Sequence, residues 1–116
     1  MVVDIGDPRA ADRLFHALAD ATRRDVVART MQAEHSVSEL ARLYPMSFAA
    51  VQKHVAVLAD AGLVTKRRRG REQLVSGNVG AIQQASRLLE EVEALWRGRI
   101  DRLGEILAQE TEGGSG

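Results

Sequence analysis

A mainly α-helical domain carrying one small β-hairpin is the fold class this sequence predicts, on three observations. Ser47 to Gly62 has the cap, the apolar period and the terminal glycine of a helix. Lys66-Arg67-Arg68-Arg69-Gly70-Arg71 reads as a basic hairpin that turns at its glycine, and Ile82 to Leu107 keeps one long apolar stripe. A chain of 116 residues suits one domain with its own core. The expected domain is 1–108, and 109–116, ending Thr-Glu-Gly-Gly-Ser-Gly, is expected to be a flexible tail. Aromatic residues make up only 3% of the chain, so the core must come from Leu, Val, Ile and Ala.

In chain order, residues 1–8 form a polar lead ending in Asp7-Pro8. Asp7 is placed to cap a first helix with Pro8 at its first position, where a missing N–H costs nothing. Leu14, Phe15 and Leu18 mark the buried face of that helix. Asp20 opens a second helix running through Val26 and Val27 to about Met31. Arg23 and Arg24 beside Asp25 read as a surface or interfacial charge cluster, and His16 and His35 as exposed or boundary residues. Ser36-Val37-Ser38-Glu39 fits a capping box, serine and glutamate each closing on the other's backbone amide. A short third helix follows with Val37, Leu40 and Ala41 turned inward. Pro45 cannot continue it, so Tyr44-Pro45-Met46 turns the chain into Ser47.

The next helix carries Val51, Val55 and Leu58 on one side, and Gly62, with no Cβ to clash, ends it. Two short helices joined by a tight corner, the second polar outside, form a helix-turn-helix. Many helical proteins contain such a corner. A basic hairpin directly behind it is the shape of a DNA reader with a wing. The zero net charge of the whole chain hides this. Residues 1–46 hold 6 basic and 7 acidic side chains, residues 47–77 hold 6 and 2, and residues 78–116 hold 4 and 7. The middle segment is therefore a cationic patch of net +4 between two weakly acidic ones.

In the last helix Ile82, Ala85, Leu89, Val92, Trp96 and Leu103 recur near every 3.5 residues. Leu88, Leu95, Ile100, Ile106 and Leu107 widen the stripe. It is too broad for one small domain to cover from a single side, and a pairing helix in a symmetric dimer is expected. An ordinary core helix within one subunit is the alternative.

Several classes are excluded or disfavoured. Without cysteine there is no disulfide and no thiolate metal or redox site. No apolar run approaches a membrane span, and Met1-Val2-Val3-Asp4 lacks the basic start of a signal peptide, so a soluble cytoplasmic protein is expected. No nucleophile elbow, phosphate-cradling glycine loop or acid pair beside a histidine is present, so no enzyme and no cofactor are expected.

The sequence resembles the ArsR family of winged helix-turn-helix repressors. Ala17-Leu-Ala-Asp-Ala-Thr-Arg-Arg24 is similar to the family's ALADPTRR, and Ser38-Glu-Leu-Ala41 to its third helix. SFAAVQKHVAVLADAGLV from Ser47 resembles SxxxVSKHLxxLxxAGLV, and KRRRGRE resembles the wing. The likeness covers about Arg13 to Ser76. It implies a homodimer, joined through the first and last helices, that binds an inverted repeat in double-stranded DNA and represses transcription. The implied interface residues are Leu14, Leu18, Leu89, Val92 and Trp96. Carried over by position, the major-groove face is Ser47, Phe48, Ala49, Gln52 and Lys53. A Gln52 amide suits the N6 and N7 edge of adenine, and Lys53 suits guanine or phosphate. His54 matches the family's KH histidine, for which packing and phosphate contact are equally open. Phe48 departs from the family pattern and either touches a thymine methyl or tucks against the corner. Lys66, Arg67, Arg68, Arg69 and Arg71 would reach the minor groove or flanking phosphates. Metal sensing is not expected. The third-helix ligand positions hold Ala41 and Leu43, no histidine follows His54, and carboxylates alone suit only hard ions. The competing reading is a winged helix used for protein contact, and the effector is unknown.

Overall fold

A computed structural model describes residues 7–114, with side chains through Glu110. Residues 1–6 of the expected lead at 1–8 and residues 115–116 of the expected tail lie outside the described residues. The elements in order are α1 (Pro8–Leu18), α2 (Ala21–Gln32), β1 (His35–Ser36), α3 (Val37–Ala41), α4 (Phe48–Asp60), β2 (Val64–Arg69), β3 (Glu72–Gly77) and α5 (Val79–Gly114). Two compact units divide at Ala85–Ser86, within α5.

The helix starts follow from their caps. Asp7 accepts from the Arg9 amide, Asp20 from Arg23, Ser36 from Glu39 and Ser47 from Ala50, so each first turn has an orphan donor satisfied. The end of α4 is equally local. Gly62 has φ +78°, the Gly62 amide donates to the Ala59 carbonyl at 3.0 Å, and the Leu63 amide reaches back to Leu58 at 2.9 Å. This pair of bonds is a Schellman closure, and it sends the chain out of the helix into β2. Asn78 then returns to the same corner. Its side-chain amide donates to the Gly62 carbonyl and its backbone amide to the Leu63 carbonyl, both at 2.8 Å.

The sheet has three antiparallel strands in the order β1-β3-β2, where a two-stranded hairpin was expected. Arg69 faces Glu72 across the turn, leaving Gly70-Arg71 as a two-residue loop. Gly70 has φ +62° and Arg71 does not have positive φ, the pattern of a type II′ turn with glycine first. The extra strand is the two residues His35 and Ser36, paired with Val75 and Leu74. Nothing local announces it, because the pairing exists only once β3 has folded back.

The core of the first unit is aliphatic. Leu14, Val26, Leu40, Val51, Val55, Leu58, Leu63 and Val75 are buried together, joined by Ala81 and Ala85 from the start of α5. Each large side chain contributes about 1.5–3 kcal/mol of transfer free energy. Leu14, expected at a subunit interface, is 1% exposed within this core and has no surface to offer a partner. Leu18 is only partly buried against it. Arg23 and Arg24 do not form the expected charge cluster with Asp25. They instead bond the last carbonyls of α1: Arg23 donates to Ala17 at 2.8 Å and His16 at 3.1 Å, and Arg24 to Leu18 at 2.8 Å. A guanidinium there meets orphan acceptors at the negative end of the helix dipole.

Asp25 is engaged elsewhere. It accepts from the Tyr44 hydroxyl at 2.5 Å and from Arg29 Nε at 2.7 Å. Burial, then the bond to Asp25, pushes the Tyr44 hydroxyl up to about 12, while the tyrosine and Arg29 together hold the Asp25 carboxyl below its usual value. This pins the proline corner between α3 and α4 onto α2. Around Pro45 the Met46 amide closes directly on the Tyr44 carbonyl at 2.9 Å, so the corner turns without a positive φ.

The second unit, from Ser86, is helix. Leu89, Val92, Trp96, Ile100 and Leu103 are each about half exposed, spaced three and four apart on one stripe. Glu93 and Arg97 form an i,i+4 ion pair. The helix runs on to Gly114, past residue 108, where the domain was expected to end in a flexible tail.

Gly77 closes β3 against α2. A Cβ there would lie 2.7 Å from Met31 Sδ, and also 2.9 Å from the Met31 backbone nitrogen, which cannot rotate away. Gly77→Ala is expected to destabilise the fold by about 1–3 kcal/mol, the usual cost of overpacking. A denaturant midpoint that falls at unchanged slope is the result expected, and an unchanged midpoint would show that the approach is looser than the geometry says.

Candidate nucleic-acid interface

Helix α4 presents two faces. Val51, Val55 and Leu58 are buried, while Ser47, Phe48, Ala49, Gln52 and Lys53 are exposed. The exposed set begins at the Ser47 cap, whose hydroxyl is engaged by the Ala50 amide at 3.1 Å. Phe48 is 46% exposed, so it is neither tucked away nor free-standing. It forms one wall of a cleft of about 200 Å³ between the start of α4 and the hairpin. The remaining lining is Val37 and Ser38 of α3, Gln52 of α4, and Arg68, Arg71, Glu72 and Gln73 of the hairpin.

Strand alternation sorts the basic residues. Arg68 lies opposite Gln73 in the ladder, and both side chains line the cleft beside Gln52. Arg67, one residue earlier, points to the other face. There its guanidinium makes a two-pronged bond to Glu34, Nε to Oε2 at 2.9 Å and Nη2 to Oε1 at 2.7 Å, and the Ser76 hydroxyl donates to the same carboxylate at 2.9 Å. The Arg67 bond, then Ser76, holds the Glu34 carboxyl below its usual range. Arg67 is thus tied to its own protein, whereas Arg68 and Arg71 look into the cleft. Lys66 and Arg69 are exposed.

His54 does not share the face of Gln52 and Lys53. It is half-buried, with Nδ1 3.2 Å from Arg23 Nη1 and 3.9 Å from Asp20 Oδ2, at the α1–α2 corner. Sequence reasoning missed Ser38, Gln73 and Glu34. Gln73 was within reach, since a turn at Gly70-Arg71 sets it opposite Arg68. Glu34 had no local signal, because its partners lie 33 and 42 residues away. Among the described residues no three His, Cys, Asp or Glu side chains gather as a metal site, and no helix is long and apolar enough to cross a membrane.

Put together, the cleft and the exposed face of α4 offer two amides, an ammonium, an aromatic edge and two guanidinium groups, with the Glu72 carboxylate among them, on one side of the first unit. That donor set matches base edges and phosphates rather than an apolar ligand.

Comparison with known proteins agrees with this. A family described as a helix-turn-helix domain matches residues 18–67. The HTH-type transcriptional regulator Rv2034 of Mycobacterium tuberculosis is 47% identical over 62 residues, 53% of this chain and 58% of the relative, so the match spans little more than half of that protein. The crystal structure of an ArsR family transcriptional regulator superposes with a TM-score of 0.73 at 31% identity, over 78% of this chain and 94% of the other. The homodimeric winged helix-turn-helix DNA-binding domain of a possible ArsR-family regulator from Mycobacterium bovis gives a TM-score of 0.58 at 25% identity, over 77% and 80%.

The Glu34–Arg67 bond has a pH signature. A carboxyl with a lowered folded pKa stabilises the fold above its ordinary value of 4.5, and the contribution is lost as pH falls through the lowered value. Carbon-detected NMR titration is expected to find Glu34 titrating below 4.5, and Arg67→Ala is expected to move it back up. A Glu34 that titrates alike in both proteins would mean that the two side chains do not pair in solution.

Proposed function

The chain belongs to the ArsR family of winged helix-turn-helix transcriptional regulators, and we propose that it is a homodimeric repressor that binds an inverted repeat in a promoter, its own among the candidates. The observation that carries this reading is the cleft in which Gln52 of α4 and Arg68 of the hairpin stand side by side. A base-reading amide next to a phosphate-seeking guanidinium is what a recognition helix with a wing requires.

In this mechanism α4 enters the major groove, N-terminal end first. Gln52 and Lys53 read base edges, and Phe48 lies against a thymine methyl. Arg68 and Arg71 hold the backbone or the minor groove beside it, with Lys66 and Arg69 adding charge. Two copies would set their α4 helices about 34–36 Å apart, one turn of DNA. The exposed α5 stripe of Leu89, Val92 and Trp96 supports pairing of the copies, in keeping with the homodimeric relative. Occupying the promoter would block polymerase. No metal is called for, since no residue of α3 or α5 is a cysteine or histidine.

The test is binding to the DNA upstream of the gene, against a scrambled duplex, across a salt series. About four phosphates per subunit give a log–log slope near −7 for a dimer. A footprint on an inverted repeat, preferred over the scramble, is the outcome expected. No binding to either duplex at low salt would overturn the reading in favour of a protein-contact module. Within it, Gln52→Ala is expected to lose about 1–3 kcal/mol of discrimination per site with little change in salt slope. Arg68→Ala with Arg71→Ala should weaken binding to all sequences and flatten the slope. Leu89→Glu with Val92→Glu should sediment as a monomer, and a variant that remains a dimer would remove α5 from the interface.

A further inference from the structure

Arg23 is bonded to more than the end of one helix. Its guanidinium donates from Nε to the Ala17 carbonyl at 2.8 Å and from Nη2 to the His16 carbonyl at 3.1 Å, and its remaining arm, Nη1, meets His54 Nδ1 at 3.2 Å. A guanidinium has no acceptor, so Nδ1 must be the acceptor and the ring proton must sit on Nε2. The Asp20 carboxylate, which caps α2 on the Arg23 amide at 3.0 Å, stands 3.9 Å from the same Nδ1. One planar cation therefore joins the C-terminus of α1, the N-terminus of α2 and the middle of α4. A fork is needed for this; a lysine ammonium has no fixed geometry to reach all three.

We propose that Arg23 is a positioning residue for DNA recognition, orienting α4 through the lone pair of His54 Nδ1, and that a proton taken up on that atom unties the helix. The role rests on the DNA-binding reading above. The proton comes from solvent, fills the acceptor lone pair and leaves two cations in contact. Asp20 offsets part of that repulsion. Other charges near α4 are Lys53 on the helix itself, Arg68, Arg71 and Glu72 of the hairpin beside its N-terminal half, and, towards its C-terminal end, Arg13 and His16 of α1 with Asp60. The sign of the effect separates this from a direct phosphate contact. A histidine that touched phosphate would bind DNA better when protonated, and one that positions α4 binds worse.

The experiment measures specific and random duplex affinity for the full chain between about pH 7.5 and about pH 5.5. His54→Asn keeps an acceptor in the place of Nδ1 and cannot titrate. Relative to this variant, the wild type is expected to lose roughly three- to tenfold in specific affinity over that range, within the tenfold per pH unit that one linked proton sets. Arg23→Lys, which keeps the charge, is expected to lower the specific-to-random ratio about tenfold at pH 7.5, equivalent to about one base contact. A loss of folded protein would lower both affinities alike, so the ratio isolates orientation from stability. Wild type and His54→Asn with the same pH profile, or a wild type that gains affinity in acid, would overturn the role of His54. An unchanged ratio in Arg23→Lys would overturn that of Arg23. A wild type that binds neither duplex at any pH removes the proposed function itself, which is a separate result.

Discussion

The turn at Gly62 is the constraint on which the arrangement of the first unit depends. A residue at φ +78° is strained for any side chain with a Cβ, and here it ends α4 by returning the Leu63 amide to Leu58. The direction in which β2 leaves is thereby set relative to the axis of α4. Asn78 then seals the same corner from the other end of the hairpin, bonding the carbonyls of Gly62 and Leu63. Both strands of the wing are thus rooted in the last turn of the helix beside them. The separation between Gln52 and Arg68, which makes the cleft, follows from this shared root and from the buried contacts of Val64 and Val75.

Polar groups then refine what the aliphatic core holds together. Glu34 ties one wing arginine to the end of α2, and Asp25 ties the proline corner to the middle of the same helix. These are partly exposed bonds, and each taken singly contributes little free energy. Their effect is directional. They fix the wing and the corner relative to α2, against which α1, α4 and β3 all pack. The Arg23 fork does the same for α4, so the exposed face of the helix is held from behind by a charge that never reaches it.

What was legible in the sequence is what local chemistry decides. Asp7, Asp20, Ser36 and Ser47 announce helix starts because a cap needs only the next three residues, and Gly62 and Gly70 announce their turns because of a missing Cβ. The exposed face of α4 follows from a 3.6-residue period. The rest depended on partners far along the chain. The strand at His35–Ser36 exists only against β3, Arg67 differs from Arg68 only because Glu34 is on its side, and His54 turns inward only because Arg23 awaits it. Leu14 shows the limit of a face assignment: an apolar residue on a helix gives no hint of whether its neighbour is its own core or a second molecule. At the C-terminus the glycine-rich composition reads as a tail, while α5 runs on through Gly113 and Gly114.

The chain has a single tryptophan and a single tyrosine, and they fall in different units. Trp96 stands on α5 at 58% exposure, while Tyr44 is partly buried in the corner between α3 and α4 with its hydroxyl on Asp25. Indole fluorescence therefore reports the environment of the long helix alone, and phenol absorbance reports the packing of the first unit alone. The two chromophores divide the molecule between them, and coincidence of their transitions becomes a measure of whether the two units unfold as one cooperative body.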